Sequence, residues 1–166
     1  MESAEFTEYF LTHRDNLFRF AKSILGNRHD AEDITQDIYE KFWTKCSELD
    51  RYENLQNVLM RSVRNLCYDR IKITKRRKVI DSAIALFSRQ TQDAAEMDDM
   101  SAIVERIINS LPEKQREAIH LRDVEHMEFS QIAAIMDMEQ NAVKVSVCRA
   151  RCTVRDKMKK IMNYGL

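Results

Sequence analysis

The chain has 166 residues, 44% hydrophobic and 33% charged, with 27 Lys+Arg balancing 27 Asp+Glu and only two glycines and one proline. That length holds one ordinary domain or two small ones. The hydrophobic content excludes a disordered chain, and so few turn formers leave β-hairpins poorly supplied. No apolar run approaches the ~20 residues of a membrane span and no basic-then-apolar signal opens the chain, so the expectation is an all-α cytoplasmic protein without membrane insertion, its cysteines reduced.

Apolar residues at three-to-four spacing, namely Phe6, Phe10, Leu17, Phe18, Ala21, Ile24 and Leu25, predict a first helix that stops at Gly26. Asp30 reads as the N-cap of a second, DAEDITQDIYEKFW, with Ala31, Ile34, Ile38, Phe42 and either Tyr39 or Trp43 on one side. Its other side carries Asp33, Gln36, Asp37 and Glu40. After a polar connection, Leu55, Val58, Leu59, Val63, Leu66, Cys67 and Ile71 predict a third helix. Its opposite face presents Arg61, Arg64, Asn65, Tyr68 and Lys72 and runs on into KRRK at 75–78. Residues 79–100 lose this regularity and read as an acidic tether, with a short helical piece at Ile80 to Phe87.

Ile103, Val104, Ile107, Ile108 and Leu111 form the next stripe, and Pro112 then opens a helix at its favoured first position, turning Ala118, Ile119 and Leu121 or Arg122 inward. FSQIAAIM, the four residues DMEQ and a basic helix follow, which is the helix-turn-helix pattern, with a structural αα-hairpin as the alternative. In the basic helix Ala142, Val143, Val147, Ala150 and Val154 are expected to face the core. Lys144, Ser146, Arg149, Arg151 and Arg155 spread over the remaining surface.

Neutrality conceals segregation. Residues 1–60 hold 12 acids and 7 bases, 61–78 hold 8 bases and Asp69 alone, 79–143 hold 13 acids and 5 bases, and 144–160 hold 7 bases and Asp156. Two basic segments about 80 residues apart point to two anion-contacting surfaces, with duplex nucleic acid the obvious anion, against the alternative of two solvated helix faces. No His accompanies the acids of 30–40 at ligand spacing, and Cys148 and Cys152 lack two further ligands nearby, so no metal or other cofactor is expected. Neither a Gly-rich phosphate loop nor a Ser-His-Asp arrangement is visible, which argues against an enzyme.

Three segments carry a resemblance. DAEDITQDIYEKFW resembles the second conserved region of bacterial sigma factors, and LMRSVRNLCYDRIKITKRR the adjacent promoter-melting segment. LPEKQREAIHLRDVEHMEFSQIAAIMDMEQNAVKVSVCRARCTVRDKM resembles the C-terminal sigma region. Their order, spacing and overall length are similar to the small extracytoplasmic-function (ECF) sigma factors of RNA polymerase. The resemblance implies two small helical domains, at 1–78 and 102–163, joined by a flexible linker at 79–101, the second containing the helix-turn-helix. It implies a non-enzymatic initiation factor whose Asp33, Gln36, Asp37 and Glu40 dock on core polymerase. Arg61, Arg64, Asn65, Tyr68 and Lys72 are then expected at the melted −10 element, and Gln140, Asn141, Lys144, Ser146, Arg149, Arg151 and Arg155 at the −35 element of promoter DNA. An anti-sigma factor is the expected regulator. Val58 replaces the family's usual tryptophan, Asp137 its usual turn glycine and Glu139 its frequent cap serine, and Lys144-Val145-Ser146 stands for its Lys-Ser-Arg. These changes bear on promoter sequence more than on function class. The competing readings are a stand-alone helix-turn-helix regulator and an adaptor whose basic helices bind acidic partners.

Overall fold

In the computed structural model the backbone of residues 1–84 and 100–164 and the side chains of 1–77 and 100–163 are described. All regular structure in these residues is helical. Helix α1 spans Ser3–Leu25 and ends where Gly26 adopts φ +67° and its N–H caps the Lys22 carbonyl at 2.8 Å. Only a residue at ease in the left-handed region closes a helix this way without strain. The buried stripe of α1 is Phe6, Phe10, Leu17, Phe20, Ala21 and Ile24. Phe20 thus takes the place expected for Phe18. At about 100° per residue, a stripe centred on Leu17 admits Phe20 and leaves Phe18 on its flank.

Helix α2, Arg28–Trp43, is capped by Asn27, whose side-chain oxygen accepts from the Asp30 N–H at 3.2 Å; Asp30 is therefore inside the helix, not its cap. Ala31, Ile34, Ile38 and Phe42 are buried as expected. Tyr39, rather than the exposed Trp43, joins them, lying 5.9 Å from the Phe6 ring and 5.1 Å from that of Phe10. A 3-10 helix at Cys46–Arg51 buries Leu49 inside what reads as a polar connection. Helix α3, Leu55–Ile84, begins at Asn54, which accepts from the Asn57 N–H. Its fully buried residues include Met60 besides Leu59, Val63 and Cys67. It continues past residue 78, so residues 79–84 of the expected tether are helical; the rest of that reading, 85–99, lies outside the described residues.

The C-terminal half is α4 (Met100–Asn109), α5 (Glu113–Ile119), one π-helical turn (His120–Val124), α6 (Phe129–Met136) and α7 (Gln140–Tyr164). Pro112 caps α5 instead of occupying its first turn. The helix expected to turn Ala118, Ile119 and Leu121 or Arg122 inward widens at His120, where the Glu125 N–H reaches back five residues to the His120 carbonyl. His126, at φ +55°, then turns the chain into α6. Between α6 and α7 the turn pivots on Asp137 at φ +53°, ψ +53°. Asp tolerates this left-handed conformation better than most residues, and it accounts for the glycine that the position resembles.

The two halves are packed together. Helix α6 lies on α3, while α5 and the π turn lie on α1. One apolar core runs from Phe6 and Leu17 through Leu59 and Val63 to Leu121, Ile132 and Ile135, and each such buried side chain contributes ~1.5–3 kcal/mol. Charged contacts accompany it: Arg19 with Glu125, Arg64 with Glu117, Lys22 with Glu105 at 3.5 Å, and Arg61 with Asp137 at 4.0 Å.

Candidate nucleic-acid interface

Helix α3 turns Leu59, Val63 and Cys67 into the core, which sends Arg61, Arg64, Asn65, Tyr68 and Lys72 to its other side. The expected set is therefore brought together. Arg64, Asn65, Tyr68 and Lys72 form one wall of a groove of about 500 Å³ whose facing wall is Glu113, Lys114 and Glu117 of α5. Asn65 is exposed, and its amide makes no hydrogen bond among the described residues. The Arg64 guanidinium lies 4.9 Å from the Tyr68 ring.

Both are held by Glu117. Arg64 Nε donates to Glu117 Oε2 at 2.6 Å, and the Tyr68 hydroxyl donates to Glu117 Oε1. The Glu117 side chain is 1% exposed. Burial, then the hydrogen bond to Glu117, raises the Tyr68 phenol above its ordinary value, so it stays a donor at any physiological pH. Burial and then the Glu117 charge push the neighbouring Cys67 thiol up to about 12, which keeps it protonated and unreactive. Glu117 escaped the sequence reading. The signal was an acid four residues before the inward-facing Leu121, a stripe position that an acid holds only with a cationic partner.

Helix α7 buries Val143, Val147 and Ala150. Ala142, expected inside, is exposed, because it stands about 100° from Val143 on the side away from α6. Gln140, Asn141, Lys144, Arg149, Arg151 and Arg155 are exposed, and Ser146 sits half-buried on the flank. Arg151 is engaged by Asp123 through both Nε, at 3.0 Å, and Nη2. Lys144 Nζ lies 5.7 Å from the Phe129 ring, and Arg149 makes no ion pair among the described residues. The outward face also carries Val145, 47% exposed, and the exposed Cys148. A helical wheel of the sequence would have found both, since they fall between Asn141 and Arg149 on the same side.

The α2 face is less free than its composition suggests. Arg70 of α3 reaches Asp30 at 3.1 Å, Asp33 at 3.5 Å and Asp37 at 3.8 Å, and Gln36 donates to Glu40 at 3.1 Å. Gln36, Asp37 and Glu40 remain exposed, with Asp33 partly covered. Beside them a groove between α1 and α2 has Phe10 and Phe18 in its lining and Leu11, 63% exposed, at its edge. This apolar component was not read from sequence, although Leu11 lies off the buried stripe of α1.

The family model described as sigma-70 region 2 matches residues 9–77, and that described as sigma-70, region 4 matches residues 101–152. The chain belongs to the sigma-70 family. Its curated relatives place it in the ECF group: it is 24% identical to the ECF RNA polymerase sigma factor SigW of Bacillus subtilis over 89% of this chain and 85% of that one. It is 22% identical to SigM of the same organism over 96% of each chain. Among solved structures, the sigma factor RpoE in complex with the anti-sigma factor NepR from Bartonella quintana superposes with a TM-score of 0.75. That match has 26% identity over 93% of this chain and 97% of that one. The α3 wall of the groove lies in region 2, its α5 wall in region 4, and helix α7 begins in region 4. A chain bearing both regions is a promoter-directing sigma factor of RNA polymerase, not a stand-alone regulator. No helix among the described residues of this sigma factor is long and apolar enough to cross a membrane.

Proposed function

We propose that this sigma factor works in the cytoplasm without chemistry of its own, docking on core polymerase through α2 and dividing promoter recognition between α3 and α7. Residues 1–78 form the docking and −10 domain, 79–101 the linker and 102–163 the −35 domain. Asp33, Gln36, Asp37 and Glu40 meet a coiled coil of the polymerase largest subunit, with the Leu11 and Phe18 groove supplying apolar contact beside them. Asn65 presents an exposed amide suited to the edge of an extruded base, Tyr68 a stacking surface, and Arg61, Arg64 and Lys72 backbone contacts.

At the −35 element Gln140, Asn141, Lys144 and Ser146 stand at or near the start of α7, where groove-entering helices place their readers. Arg149, Arg151 and Arg155 lie deeper and grip phosphates. Val145 adds an apolar surface suited to a thymine methyl. The observation that carries this reading is the exposed Asn65 amide, unbonded among the described residues and set amid arginine and tyrosine, on the half of the chain that a lone regulator would give to sensing or dimerisation. An anti-sigma factor is the fitting regulator, since the related RpoE was solved with NepR. The test is transcription from a promoter panel with and without core polymerase. Core-dependent initiation that Asn65→Ala impairs on duplex templates supports the reading; tight sequence-specific footprints by the isolated protein, without core, overturn it.

A further inference from the structure

The outward side of α7 carries two thiols to which promoter recognition gives no task. Val143, Val147 and Ala150 face the core, which leaves Asn141, Val145, Cys148 and Cys152 along the opposite side of the helix. Cys148 is exposed and Cys152 half-buried, and neither is in a disulfide. Four residues slightly exceed one turn, so the two side chains start about 40° apart around the axis with Cβ atoms about 5–6 Å apart. The Cys152 sulfur accepts from Arg155 Nη2 at 3.5 Å. Arg155 stands two turns beyond Cys148 on the same side, so this contact draws the Cys152 sulfur toward the Cys148 edge of the helix. The other two cysteines differ. Cys67 is buried, its thiol pushed up to about 12, and Cys46 lies on another element, 3.5 Å from Ser3 Oγ.

We propose that Cys148 and Cys152 form a dithiol site for trivalent arsenicals, and that loading it keeps α7 out of the −35 major groove. The proposal rests on the reading of α7 as the −35 helix. Zinc needs two ligands more than this face offers, whereas trivalent arsenic keeps one oxygen or carbon substituent and is held by two sulfurs. With an arylarsine oxide, each sulfur forms one S–As bond and the As–O bond breaks. The two thiol protons leave with that oxygen as water, and arsenic stays trivalent, so no oxidant or reductant is consumed. The second S–As bond forms within one molecule, which makes the bridged adduct resistant to competing monothiols. The major groove is about 12 Å wide and a helix with its side chains about 10–12 Å across, so an added aryl group on this face has no room. The α2 acids and the α3 groove lie on other elements, so polymerase docking survives loading.

The experiment treats the full chain with phenylarsine oxide and removes free reagent before core polymerase is added. Mass spectrometry counts adducts in excess glutathione, a pull-down reads core binding, and transcription is measured from a promoter bearing a −35 element. Wild type is expected to keep one adduct that glutathione leaves and dithiothreitol removes, with core binding unchanged. Its transcription should fall about tenfold, the size of one lost base contact. Cys148→Ser and Cys152→Ser, each compared with its own untreated sample and checked for helicity by circular dichroism, should lose both the resistant adduct and the inhibition. Cys46→Ser should keep both. No resistant adduct on wild type, or one that persists in either α7 variant, overturns the site. An adduct on the pair that leaves transcription intact overturns the blockade. Lys144→Ala in the same assay then separates the causes: altered promoter preference leaves the −35 reading standing, and no effect takes that reading down as well.

Discussion

At Tyr68 one side chain has two separable uses, a ring that stacks and a hydroxyl that donates to Glu117. Tyr68→Phe keeps the first and loses the second, whereas Tyr68→Ala loses both. With core polymerase, Tyr68→Phe is expected to form open complexes as wild type does. Tyr68→Ala should lose about tenfold on duplex promoters and much less on templates already mismatched at −10, since base–aromatic stacking is worth ~1–3 kcal/mol. Equal losses on both templates would reduce Tyr68 to a packing role. On α7, Val145→Ala should change preference at a single −35 position by ~1 kcal/mol or less, with the salt dependence unchanged, because an apolar contact releases no counterions. Arg149→Ala, which removes an exposed cation, should weaken all promoters alike and lower the log-log salt slope by about 0.9.

At the scale of elements, two left-handed residues close two helices and predict opposite outcomes. An added Cβ at Gly26 meets nothing within 4 Å, so Gly26→Ala pays only the backbone term and should lower stability by ~1 kcal/mol. Asp137→Gly removes the same kind of strain and should raise it by about 0.5–1 kcal/mol, less the small value of an exposed 4.0 Å pair with Arg61. Urea midpoints read both. The element boundaries show where sequence pattern is informative. Every α-helix of the described residues was visible from apolar spacing, because 3.6-residue periodicity survives in strings such as Ile34, Ile38 and Phe42, whereas the short 3-10 helix at Cys46–Arg51 was not. The misplaced ends have local causes. Asn27 outcompeted Asp30 as a cap, and the widening at His120 is set by backbone geometry that no composition marks.

At the scale of the whole molecule, the candidate site was legible as two lists of residues on two helix faces, but not as a site facing its own C-terminal half. Asn65 and Tyr68 announce themselves by type. Glu117 meets Arg64 and Tyr68 across 53 and 49 residues, and Glu125 meets Arg19 across 106, and pairwise complementarity across such separations leaves no periodic trace. The same pairs predict a pH dependence. Burial raises the Glu125 carboxyl, but the hydrogen bonds from His120 and Arg19 outweigh it and hold the group below the usual glutamate value. A depressed folded-state value stabilises above the unfolded one, and that stabilisation is lost as pH falls through the depressed value. Lowering pH below the ordinary carboxylate range should thus expand the molecule before helicity is lost. Scattering and circular dichroism recorded in parallel check the order, and Glu125→Gln should remove the step.

The contact from Arg64 to Glu117 also sets a clock during synthesis. When Tyr68 leaves the ribosome, its acceptor is still 49 residues from emerging, which at ~5–20 residues per second is a delay of roughly 2–10 s. Over that interval the nascent N-terminal domain presents Arg64, Tyr68 and the basic run at 75–77 with no resident carboxylate, amid the RNA that surrounds every growing chain. The acids of the first sixty residues, 12 against 7 bases, are then the chain's own shield against that RNA, because they are synthesised before the cations they offset.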